Sequence, residues 1–188
     1  MSETINVAAV VGSLREDSVS RKAALALAGL APANVNVRII EIGDLPHYNE
    51  DIEAAGAPAP WTRFREAIRG SDAVLFVTPE YNRSVPGVLK NAIDVGSRPY
   101  GSSAWSGKPA AIVSLSPGAI GAFGANHHLR QSLVFLDMPI LQQPEAYIGN
   151  AFSLFSDSGE LASDETKTFF QAFIDALVDW IGRTTAKG

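Results

Sequence analysis

The chain has 188 residues, of which 46% are hydrophobic and 19% charged, with no cysteine and a formal net charge of −5. This length favours one domain, residues 1–188, with a full core, and the composition excludes a disordered or coiled-coil chain. The lack of cysteine excludes disulfides, thiolate nucleophiles and cysteine metal sites, and the acidic balance argues against nucleic acid, which needs a basic face.

No apolar run reaches the roughly 18 residues that span a bilayer. No basic segment followed by an apolar stretch opens the chain, so no secretory leader is expected. The expectation is a cytoplasmic protein with no membrane partner.

Residues 5–11, INVAAVV, are apolar without alternation and predict a strand buried on both faces. Gly12 ends it, and residues 13–20 form a polar loop. A helix follows over 19–30, with Ala23, Leu27 and Leu30 on one side, and Pro32 terminates it. Residues 35–42 alternate as a second strand, with Val35, Val37 and Ile39 inward. Residues 43–59 read as irregular. Trp61, Phe64 and Ile68 mark a second helix that Gly70 closes.

Residues 73–78, AVLFVT, predict a buried third strand, which Pro79 stops because it has no N–H to give to a ladder. A polar loop, Glu80 to Arg83, leads to a helix with Ser84 as its cap and Pro86 in its first turn. Val85, Leu89, Ala92 and Ile93 form that helix's apolar stripe. Residues 110–116 are a fourth strand, followed by a glycine-spaced loop and a helix over 122–136 carrying Leu129, Leu133 and Leu136. A short fifth strand is expected at 138–141, with an extension toward Tyr147 left open. Ser163 and Asp164 cap a last helix with Phe170, Phe173, Ile174, Leu177, Val178 and Ile181 in period. Flexibility is expected at 53–60, at 100–107 and in the last few residues.

Strand and helix alternate about five times. That pattern predicts an α/β fold: a five-stranded parallel sheet, order 2-1-3-4-5, with helices on both faces. In this order the loops after strands one, three and four share one sheet edge, where α/β proteins bind ligands.

The first loop suits a single phosphate. Ser13, Ser18 and Ser20 supply hydroxyls, Arg15 a charged fork, and the following helix its free N–H groups. Glu16 and Asp17 must then face solvent. Neither G-x-G-x-x-G nor G-x-x-x-x-G-K-[ST] is present, which argues against a dinucleotide or a nucleoside triphosphate. In the second loop, Tyr81 between Glu80 and Asn82 suits a flat ring with polar edges. Gly118, Gly121 and Gly124 let the third loop approach a ligand closely. A serine-rich helix cap and ordinary turns are the plainer readings of these loops. His127 and His128 are adjacent, so they do not face one metal together, and no metal site is expected. No G-x-S-x-G marks a hydrolase.

Together, G-S-L-R at 12–15 with Ser18, T-P-E-Y-N at 78–82, S-V-P-G at 84–87 and L-K-N-A-I-D at 89–94 resemble the NADPH-dependent FMN reductase family. Within it the chain looks closest to the bacterial quinone and chromate reductase branch, and the similarity continues through H-L-R-Q at 128–131 to Pro144 and Glu145. The resemblance implies a flavodoxin-like fold holding noncovalent FMN, with NAD(P)H as cosubstrate. By position, Ser13, Leu14, Arg15, Ser18, Val19 and Ser20 would lie along the phosphate. Pro79, Glu80, Tyr81 and Asn82 would hold the phosphate side and the ring, and Ser116 and Gly118 the ring's pyrimidine edge. Apart from the resemblance, Arg98 and Tyr100 follow the helix that starts near Pro86 and read either as the substrate rim or as solvent-facing residues. The implied reaction is ping-pong hydride transfer to a small-molecule oxidant: a quinone, chromate, a free flavin or an azo compound. No side chain is assigned as catalytic. Family members form dimers, often paired into tetramers, so a homo-oligomer is expected. The alternatives are a flavodoxin-type electron carrier and a non-catalytic phosphate-ligand domain on the same fold.

Overall fold

The computed structural model describes residues 4–156 and 158–185. The tail beyond residue 185, expected to be flexible, lies outside them. Five strands form one parallel sheet in the order β2-β1-β3-β4-β5, as the alternation predicts.

The non-alternating apolar runs form the central strands β1 (Ile5–Val11), β3 (Ala73–Thr78) and β4 (Ala110–Leu115). Every residue of β3 and β4 is buried, because helices cover both faces. Edge strand β2 (Val35–Ile39) alternates and stops three residues short of its predicted end. Ile40 packs against the core of the opposite face, as strand alternation requires, and its N–H still donates to Ala9 O at 2.9 Å.

Successive residues of β3 supply two separate cores. Leu75 and Val77 face Leu27 of α1 (Val19–Leu30) and Phe170, Phe173 and Leu177 of α6 (Asp164–Thr185). Val74 and Phe76 face the other layer. There α3 (Ala59–Arg69) contributes Trp61, Phe64 and Ile68, α4 (Gly87–Gly96) contributes Leu89, and α5 (Phe123–Phe135) contributes Leu129 and Leu133. Each such buried side chain contributes roughly 1.5–3 kcal/mol of transfer free energy.

Three expectations change. Residues 43–59 contain a further helix, α2 (Glu50–Ala55), whose N-cap Asn49 accepts a hydrogen bond from Asp51 N at 2.7 Å. Within the stretches expected to be flexible, Glu53 of α2 pairs with buried Arg65, and Trp105 donates to the Ile93 carbonyl at 2.9 Å. Ser84 does not cap α4, which begins after Pro86; its hydroxyl bonds His128 Nδ1 at 2.9 Å instead. The fifth strand is β5 (Ala146–Ile148), at the far limit of the expected stretch around Tyr147 and not at 138–141. Ile140 makes only a single bridge to Ala110, since Pro139 and Pro144 have no N–H with which to extend a ladder. The chain rejoins the sheet beside Val113–Leu115.

No helix among the described residues is long and apolar enough to cross a membrane.

Candidate functional site

The carboxyl ends of β1, β3 and β4 bring three loops to one edge, and a cleft of about 150 Å³ opens between them. Ser13, Arg15, Ser18, Val19 and Ser20 border it from the first loop. Pro79, Glu80 and Tyr81 border it from the second, and Ser116 from the third. The first two loops meet through Gly12, where a Cβ would lie 3.0 Å from Thr78 Oγ1 and 3.3 Å from Pro79 Cδ.

The first loop is arranged to receive an anion. Ser18 caps α1, its Oγ accepting from Arg21 N at 3.1 Å. The N–H groups of Val19 and Ser20, the first two of α1, have no intrahelical partner, and both residues line the cleft. The first turn of α1 carries no acidic residue. Arg15 is exposed, and its guanidinium has no ion-pair partner among the described residues. Glu16 and Asp17 face solvent as expected. Asp17 is ion-paired with Lys22, whose hydrogen bond holds its carboxyl below the usual range.

The second loop is a tight reverse turn. Tyr81 N donates to Ser84 O at 3.1 Å and Ser84 N to Tyr81 O at 3.0 Å. Asn82 and Arg83 both take positive φ, 51° and 64°, as a type I′ turn requires. The turn leaves Tyr81 60% exposed at the mouth of the cleft. The Glu80 carboxylate turns towards α5, accepting from Ala125 N at 3.0 Å and from Arg83 Nη1 at 3.2 Å.

In the third loop, the Ser116 hydroxyl is used internally. It donates to Gly118 O at 3.0 Å and accepts from Ala122 N at 3.2 Å. The loop's capacity for a ligand therefore lies in its backbone N–H groups. Gly121, at φ 63°, must be glycine: a Cβ there would stand 2.7 Å from Ile148 N.

Several named residues fall outside the cleft. Leu14 is exposed beside Gly43, Asn82 lies in the turn, and Gly118 stands beyond the lining. Arg98 and Tyr100 follow the far end of α4, which runs away from this sheet edge, so within one copy they do not border the cleft. Arg98 instead lines a groove of about 630 Å³ between α4 and α5, with Ser84, His128 and Phe135. That groove is larger, but it lies along the helices and lacks the convergent N–H groups of a helix start. Sequence reasoning missed Leu115, Pro117, Ala151 and Phe152 in the cleft wall. Ala151 and Phe152 lie in a 3-10 turn, Ala151–Ser153, after β5. Only the true position of β5 could have signalled them.

On β5, Tyr147 Oη and His127 Nε2 lie 3.0 Å apart. Burial, with a smaller contribution from Glu145, pushes the Tyr147 phenol up to about 12.

The donor set fits a monophosphate attached to a flat heterocycle. Two free helical N–H groups, serine hydroxyls and one arginine meet at the first loop, and an exposed tyrosine and a glycine-rich backbone stand beyond it. Known proteins agree. A quinone reductase of Pseudomonas putida is 68% identical over 181 residues, covering 96% of this chain and 97% of its own. A 2-hydroxy-1,4-benzoquinone reductase of a Burkholderia species is 44% identical, covering 94% of this chain and 96% of its own. Among solved structures, FerB, a flavoenzyme NAD(P)H:(acceptor) oxidoreductase from Paracoccus denitrificans, superposes with a TM-score of 0.90 at 45% identity. The match covers 96% of this chain and 99% of that one. Residues 5–153 match the family described as NADPH-dependent FMN reductase, and the chain belongs to that family.

Proposed function

We propose that this protein holds FMN noncovalently and uses NAD(P)H to reduce quinones. The observation that carries the reading is the convergence of free N–H groups, Arg15 and Tyr81 on one cleft at the switch point of the sheet. The family and the quinone reductases it resembles support it.

Bound FMN would supply hydride and electron transfer, which no protein side chain performs. Arg15, the hydroxyls of Ser13, Ser18 and Ser20, and the N–H groups of Val19 and Ser20 would hold the phosphate. Leu14 would shield this loop from outside. Pro79, Glu80, Tyr81 and Asn82 would form the turn that carries Tyr81 against the ring. Ser116 and Gly118 belong to the loop whose N–H groups would meet the ring's polar edge and steady negative charge there.

The cleft is smaller than pockets that bury a whole drug-sized ligand, roughly 300–1,000 Å³. It would grip one end of FMN and leave a ring face open. Nicotinamide and oxidant would use that face in turn, a ping-pong order. The same open face suits chromate, a free flavin or an azo compound as further oxidants.

We also propose a homo-oligomer, a dimer or a tetramer, with its site in the cytoplasm. Phe135, 83% exposed, lines the groove between α4 and α5 and favours burial against a second copy. Arg98 and Tyr100 would reach a substrate rim only from such a copy.

The test is an absorption spectrum and an assay. The purified protein should be yellow and should oxidise NAD(P)H when a quinone is present. A colourless protein that takes up no added FMN would end the reading.

A further inference from the structure

Glu80 borders the cleft, and its carboxylate is committed elsewhere. Its side chain is only 10% exposed. One oxygen accepts from Ala125 N in the first turn of α5. That helix starts without help of its own: Ala122 stands at its N-cap in the left-handed region, φ 60°, with no side-chain bond. No acidic residue occupies its first turn. A carboxylate from the neighbouring loop therefore does what a local cap does elsewhere, satisfying a free N–H and opposing the helix dipole.

The approach is close. A Cβ on Gly124 would stand 2.8 Å from Glu80 Oε2 and 2.7 Å from Arg83 O, so α5 and the second loop are in contact. The third loop is tied to the same helix turn. Ser114 Oγ donates to Gly121 O at 2.8 Å, and Asn126 Nδ2 donates to Ser114 Oγ at 3.2 Å. Both of these side chains are fully buried. The first turn of α5 thus anchors both loops between which the ring would lie.

We propose that Glu80 is a positioning residue for the flavin site: by capping α5 from the adjacent loop, it sets the spacing between loops 79–84 and 116–122. The proposal deepens the function given above and rests on it.

Apoproteins of the wild type, Glu80→Ala, Glu80→Gln and Arg83→Ala are titrated with FMN. Exchange of the Ala125 amide hydrogen is followed in the same proteins without ligand. Glu80→Ala should weaken FMN binding about tenfold or more, the weight of one charge-assisted hydrogen bond, and should speed Ala125 exchange. Glu80→Gln, whose amide oxygen still accepts from Ala125 N, should restore most of both. Arg83→Ala should stay within about twofold of wild type, because its side chain is 71% exposed and its ion pair is weak.

Wild-type affinity in Glu80→Ala, or equal losses in Glu80→Gln and Glu80→Ala, would overturn the proposal. So would a loss in Arg83→Ala as large as that in Glu80→Ala. If Glu80→Ala does not fold, an unprotected Ala125 amide in the wild-type apoprotein refutes the cap, and a protected one that Glu80→Gln preserves supports it. A wild-type protein that binds no FMN refutes the functional reading instead, and the Ala125 exchange still decides the cap.

Discussion

Arg15→Ala separates a phosphate site from a mere helix cap. Arg15 is the one lysine or arginine lining the cleft, and its guanidinium has no ion-pair partner among the described residues. Its removal breaks no internal ion pair, so folding stability should stay within about 0.5 kcal/mol of wild type. A hydrogen bond to a charged group is worth about 1.5–3 kcal/mol. Arg15 is exposed, so water and salt screen it and the lower end applies. About 1.5 kcal/mol corresponds to roughly a tenfold weaker FMN complex. The assay titrates apoprotein with FMN and, in parallel, with riboflavin, which has the same ring and no phosphate. Riboflavin affinity should change less than about twofold, and the FMN difference should shrink as salt is added. An equal loss for both ligands would put Arg15 at the ring. No loss for FMN would remove it from the site.

Three further outcomes follow from the structure. Glu53→Ala leaves the Arg65 guanidinium, 5% exposed, without its carboxylate, and should cost about 3 kcal/mol in urea unfolding. Adding Arg65→Met should recover much of that, and a double variant no more stable than Glu53→Ala would refute the pairing. Gly121→Ala should cost about 2 kcal/mol or more and weaken FMN binding, because its φ of 63° and the backbone of β5 both oppose a Cβ. Gly118→Ala is the control for stability: its nearest neighbour is 3.9 Å away, and an equal loss of stability would refute the strain argument. In a spectroscopic pH titration, the Tyr147 phenol should give a late phase near 12. Its folded value is raised, so its contribution to stability is present below about pH 10 and is lost as pH climbs through about 12. Tyr147→Phe should abolish the late phase, and a wild-type curve with no late phase would refute the assignment.

The parts of the fold that near neighbours specify were legible in the sequence. The apolar runs at 5–11, 73–78 and 110–115 announced strands covered on both faces, and their alternation with helices fixed the strand order. Ser13, Arg15, Ser18, Ser20 and Tyr81 were legible as a group, since the topology brings the first and second loops, after β1 and β3, to the same edge.

Contacts between distant segments decided the rest. Residues 138–141 have strand composition, but pairing with β4 selected 146–148, and this carried Ala151 and Phe152 into the cleft. Ser84 looks like a cap in isolation, yet the tight turn claims its backbone and His128 its hydroxyl. Glu80 reads as a ligand group until α5, some 45 residues later, presents an uncapped N–H to it. Arg98 and Tyr100 follow the site loop in sequence, and a helix of 10 residues carries them away from it. Periodicity and propensity act over one or two turns of chain, so they specify elements. Which polar group meets which is set by packing, where desolvation penalises any donor or acceptor left unpaired, and only the assembled tertiary structure shows that pairing.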